Sequence, residues 1–144
     1  MIRDLETLLK ISFEVYQKFG IKLAYLFGSL TKEDRKYADI DIAILFQDKS
    51  LDQVTEFEHA TSFKRYLEEN NVFEKKLQVS PLGSANPLFR FEAIRAGKIL
   101  FCQDDEERIA FELKVIHEYE DYKAKSRIYE SVLREKLAAK IEGD

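Results

Sequence analysis

Apolar and polar positions divide the chain into short elements around two apolar runs, Ile21 to Phe27 and Asp39 to Phe46. Each run has strand length, and a polar loop joins them. Alternation along a strand has a period of two. Asp39 and Asp41 therefore point to one face of the second strand, while Ile40, Ile42 and Ile44 point to the other.

Upstream, Leu5, Leu8, Leu9, Ser12, Phe13 and Tyr16 recur at three- and four-residue spacing. This predicts a helix over 4–19 with Asp4 as its cap and Gly20 as its stop. Ser29 to Arg35 predicts a short helix in the loop. Residues 51–70 lack Gly and Pro and carry Leu51, Val54, Phe57, Phe63, Tyr66 and Leu67, predicting a second long helix. A strand over Val72 to Val79 follows, with Glu74, Lys75 and Lys76 marking it as an edge. Asn86-Pro87 predicts an N-cap and first-turn proline for a helix of Leu88 to Ala96 that Gly97 ends. Ile99 to Cys102 is a short apolar strand or link.

From Asp104 to Ile141 there is neither proline nor glycine, and Asp104 with Glu107 forms a capping pair. One helix over this span would be about 57 Å long, against about 35 to 40 Å for a compact domain of this size. It must break or protrude, and we predict two helices or a bend near 121–127. The apolar stripe of the last part, Tyr129, Val132, Leu133, Leu137 and Ile141, makes 126–141 a surface for the core, a partner or a second copy. The organisation expected is a core over 1–103 followed by a helical segment over 104–144, together one domain.

Composition narrows the function. A net charge of −4 argues against a general nucleic-acid binder and favours a single nucleotide as substrate. Cys102 is the only cysteine, so no disulfide framework or thiolate metal site exists, and it reads as a buried small hydrophobe. His59 and His117 have no ligand spacing. The N-terminus carries acids and no long apolar segment, so neither a signal peptide nor a membrane span is expected, and a cytoplasmic location follows.

The chemistry lies between the two central runs. Adjacent carboxylates repel unless a cation neutralises them. Mg²⁺ suits Asp39 and Asp41, since it is commonly held by one or two carboxylates together with substrate phosphates. Gly28 lets the backbone approach a phosphate, and Ser29 donates to it. Lys32, Arg35 and Lys36 in the loop suit a leaving pyrophosphate, or are simply a solvated turn.

A hydrophobic strand, Gly28-Ser29, nine further residues and then Asp39-Ile40-Asp41 opening a second strand resembles the signature of the DNA polymerase β-type nucleotidyltransferase superfamily. The stretch PLFRFEAIRAGKILF and the later EYEDYK resemble MNT proteins, minimal nucleotidyltransferases that act as antitoxins beside HEPN-domain toxins. The resemblance spans roughly residues 20–123. It implies an α+β fold, a small polymerase β-like sheet flanked by helices with a helical C-terminal extension. It also implies Mg²⁺-dependent transfer of AMP from ATP to a hydroxyl of the partner toxin, a tyrosine. The pattern places a third metal-binding carboxylate on the strand before PLFRFE, where this chain has Gln78. Gln78 can offer a carbonyl oxygen but neither charge nor a general base. A catalytically impaired antitoxin that binds nucleotide or sequesters its partner is therefore the alternative.

Overall fold

A computed structural model describes residues 2–27 and 39–142 of the chain. Two short helices, α1 (Ile2–Leu9) and α2 (Phe13–Lys18), lead into strands β1 (Ile21–Phe27) and β2 (Ile40–Phe46). Helix α3 (Gln53–Asn70), strand β3 (Leu77–Pro81), helix α4 (Pro87–Ala96), strand β4 (Lys98–Cys102) and helix α5 (Asp105–Glu142) follow. The α+β expectation holds, with four strands in the order β3-β2-β1-β4.

Strand β1 pairs antiparallel with β2 and β4, while β3 adds parallel to β2. Parallel neighbours need a crossover, and α3 supplies it. Its start is capped by Asp52, which accepts from the Thr55 N–H at 2.7 Å. Ala60, Phe63 and Leu67 on α3 pack with Ile40, Ile42, Ile44 and Tyr16 on one side of the sheet. On the other side, Leu23, Tyr25 and Ala43 meet Ala93 of α4 and Phe111 of α5. The alternation read from the sequence thus sorts β2 correctly between two layers.

Two glycines are needed where they stand. Gly20 takes a φ of 69°, open to glycine and costly for other residues. A Cβ on Gly97 would lie 2.1 Å from the Ala93 carbonyl oxygen and 3.1 Å from Tyr25 Cβ, so α4 turns into β4 only without a side chain there.

Several expectations are corrected. The helix predicted over 4–19 is two helices. Ser12 sits in extended backbone between them, and this break lets both Leu8 and Tyr16 be buried while Ile11 packs against the same core. Serine is a weak helix former, since its hydroxyl competes for backbone groups. Asp4 caps nothing on its own helix. It is wholly buried and accepts the backbone N–H groups of Glu74 and Lys75 at 2.8 and 3.1 Å. Those groups are thereby taken from any ladder, and β3 starts at Leu77 rather than Val72. It runs on to Pro81, which an edge strand tolerates at its end. Cys102 is half-buried rather than buried, with its thiol directed to Asp105 at 3.5 Å. Burial, then that carboxylate, pushes the thiol pKa up.

Helix α5 is one continuous element of 38 residues, so of the two forms expected, two helices or one bent near 121–127, the two-helix form is excluded. Lys123 with Glu120 at 3.7 Å and Lys125 with Asp121 at 2.9 Å bridge the stretch where the break was expected. Pairs at this spacing support a helix across a polar segment. The length excess is met by protrusion: residues 127–141 are exposed.

Candidate functional site

The start of β2 carries the candidate site. Asp39 precedes the strand and Asp41 lies within it, both half-buried. Ile40 and Ile42 on the opposite parity are fully buried, which anchors the strand and fixes the direction of the carboxylates. The Ile40 N–H donates to the Lys76 carbonyl at 2.7 Å, clamping the start of β3 to the start of β2.

That clamp sets the register. Asp41 stands opposite Gln78 on β3 and opposite Phe27 on β1. Gln78 Nε2 donates to Asp39 Oδ2 at 3.1 Å. Gln78, far along the chain from the two aspartates, is therefore their neighbour. Among the described residues no three acids, histidines or cysteines gather as a metal cluster. The site offers two carboxylates and an amide.

Gly28, Ser29, Lys32 and Arg35, together with the short helix expected over Ser29 to Arg35, lie outside the described residues. The chain leaves β1 at Phe27, whose ring meets Phe89 of α4 edge-on at 5.3 Å. Asn86 caps α4 as expected, its Oδ1 accepting from the Phe89 N–H at 2.8 Å. Arg90 holds the same helix in place. Its Nε donates to the Leu82 carbonyl at 2.8 Å, a terminal nitrogen bonds the Gly83 carbonyl, and the other meets Glu118 of α5 at 2.8 Å.

The nearest acids in sequence to Gln78 do not complete the set. Glu74 precedes β3 instead of sharing its face, with its carboxylate 3.6 Å from Arg3. Glu92 is on α4 and pairs with Arg95 at 2.5 Å. Two supporting residues escaped the sequence reading. Asp4 ties α1 to the approach of β3, and Arg90 ties α4 to the turn after β3. An acid followed directly by an apolar helical face was a signal for Asp4, but it reads equally well as a cap.

A family model described as Polymerase beta, Nucleotidyltransferase matches residues 10–106. No curated protein matches the chain. Among solved structures, one from the complex of tri-AMPylated Shewanella oneidensis HEPN toxin with MNT antitoxin is similar at a TM-score of 0.62 and 25% identity, over 90% of this chain and 98% of that one. A toxin-antitoxin structure with AMP-PNP is similar at a TM-score of 0.59 and 25% identity, over 83% and 94% of the two chains. The toxin-antitoxin MntA-HepT structure shares the fold at a TM-score of 0.61 and 24% identity, over 90% and 98%.

Proposed function

The chain belongs to the polymerase beta nucleotidyltransferase family, and from that premise we propose that it transfers AMP from ATP, with Mg²⁺, to a tyrosine hydroxyl of a HEPN-type toxin and so acts as its antitoxin. The observation that carries this reading is the meeting of Asp39, Asp41 and Gln78 at one end of the sheet. The similar solved structures support its details: in one the HEPN toxin is tri-AMPylated, and another holds AMP-PNP, an ATP analogue.

The donor set fits one hard divalent cation. Two carboxylates and at most one amide oxygen leave positions for water and phosphate oxygens, the arrangement Mg²⁺ prefers. When bound, the ion neutralises charge that builds on the α-phosphoryl group and the departing pyrophosphate. Asp39 and Asp41 would hold it. Gln78 orients Asp39 by its hydrogen bond, while Gly28 and Ser29 receive the phosphates and Lys32 and Arg35 offset the leaving group's charge. The attacking hydroxyl belongs to the toxin. No helix among the described residues is long and apolar enough to cross a membrane, which is consistent with a cytoplasmic setting.

Gln78 also favours a second reading. A neutral amide whose nitrogen turns toward Asp39 cannot take a proton from the acceptor hydroxyl. An impaired catalyst would neutralise its toxin by sequestration. Incubation with ATP labelled at the α-phosphate, Mg²⁺ and a purified HEPN-type toxin separates the readings. We expect label on a toxin tyrosine. Toxin inhibited without label supports sequestration, and a toxin neither labelled nor inhibited overturns both.

A further inference from the structure

The distal part of α5 has no domain surface to lie on. Ile128, Tyr129, Val132, Leu133, Leu137 and Ile141 are 43 to 76% exposed, whereas helices in proteins are stabilised mainly by burying an apolar face. The proximal part of the same helix carries an uncovered row of its own. Ile109, Leu113 and Ile116 are 40 to 53% exposed. They lie on the side away from Phe111, Val115 and Tyr119, which pack on the domain.

Charge divides the helix at the same place. Residues 105–122 hold seven acids and two bases, whereas residues 123–142 hold six bases and three acids. An acidic half with an apolar row is thus joined to a basic half with another.

We propose that a second copy of this chain covers both rows, with the two α5 helices antiparallel, so that the basic distal half of each lies along the acidic proximal half of the other. Charge selects both the occupant and the direction. Parallel pairing would set acid against acid and base against base, which is unfavourable at close approach. Antiparallel pairing is two-fold symmetric and closed, so one surface satisfies itself. It sets Leu133 and Leu137 of one copy against Leu113 and Ile109 of the other, with Lys140 beside Glu106. The pairing stands on the helix alone and holds whichever reaction the domain performs.

Sedimentation equilibrium of the full chain tests it. The wild type should be a dimer that dissociates at high salt, because exposed ion pairs are screened. Lys136→Glu with Lys140→Glu should yield a monomer, as should Glu106→Lys with Glu120→Lys. Mixing these two variants should restore a dimer, since the positions made acidic in one lie along the positions made basic in the other, and the unaltered basic half meets the unaltered acidic half. Circular dichroism checks that each variant is folded. Should one be unfolded, a chain ending at Lys125 replaces it and should be a monomer that keeps a cooperative thermal melt. A monomeric wild type overturns the proposal, including one whose distal α5 binds a toxin or a lipid vesicle instead. So does a dimer that survives both reversals or the truncation, or a mixture that stays monomeric.

Discussion

Gln78 donates its side-chain amide to Asp39 across the parallel junction of β2 and β3, at 3.1 Å, while the register sets it opposite Asp41. One of two acids that would repel each other is thus tied to a neutral donor. The same residue leaves the site one negative charge short of a three-carboxylate centre.

Restoring that charge is the most specific test of the site. Gln78→Asp removes the donor to Asp39 and gathers three carboxylates, so the metal-free protein should melt at a lower temperature than wild type. Mg²⁺ should then raise its melting temperature by more than it raises that of wild type. Transfer of labelled AMP should rise about a hundredfold if general-base help is gained. An unchanged Mg²⁺ response would show that position 78 does not see the metal.

The two aspartates should tolerate neutralisation structurally and fail chemically. Asp39→Asn and Asp41→Asn are each expected to fold, and each should lower Mg²⁺-dependent transfer by about a thousandfold or more, given the several kcal/mol that metal charge stabilisation supplies. Single-turnover assays beside thermal melts will separate the effects. Wild-type transfer by either variant would remove that residue from the site.

Ser29→Ala addresses the proposed phosphate cradle. Loss of one hydrogen bond to a charged group should weaken binding of a nonhydrolysable ATP analogue by about 1.5 to 3 kcal/mol. Calorimetry reads this directly. Equal affinity would leave Gly28-Ser29 as a turn and nothing more.

Asp4 lies far from the site in sequence and should nevertheless matter to it. Its buried carboxylate accepts two backbone N–H groups just before β3, and the following Lys76 carbonyl receives the Ile40 N–H beside Asp39. Asp4→Ala leaves two donors without their acceptor and should cost about 1 to 3 kcal/mol for each one left unsatisfied. Denaturant unfolding measures that loss, and transfer should fall because β3 no longer holds Gln78 in register. If stability drops while transfer in the folded protein is unaffected, Asp4 supports only the fold.

Local pattern was enough for much of this protein. The alternation in Ile40 to Phe46 assigned one face to the core and the other to Asp39 and Asp41, because side-chain direction in a strand follows from covalent geometry. Asn86, Pro87 and Gly97 marked both ends of α4, since capping and the close turn depend on residues within a few positions. The spacing of Gly28-Ser29 from Asp39 and Asp41 pointed to the family that a match over residues 10–106 bears out.

What the tertiary structure decided depended on partners distant in sequence. No periodicity could tell that Asp4 would be buried against Glu74 and Lys75, so neither the break at Ser12 nor the late start of β3 was legible. The position of Gln78 beside Asp39 required the register of two parallel strands, and a slip of one residue turns every side chain to the other face. The length of α5 was bounded by sequence, but its continuity past 121–127 was set by ion pairs on the helix surface rather than by packing. Burial of a charge and the choice of register are properties of the assembled sheet, and they exist only once its strands have met.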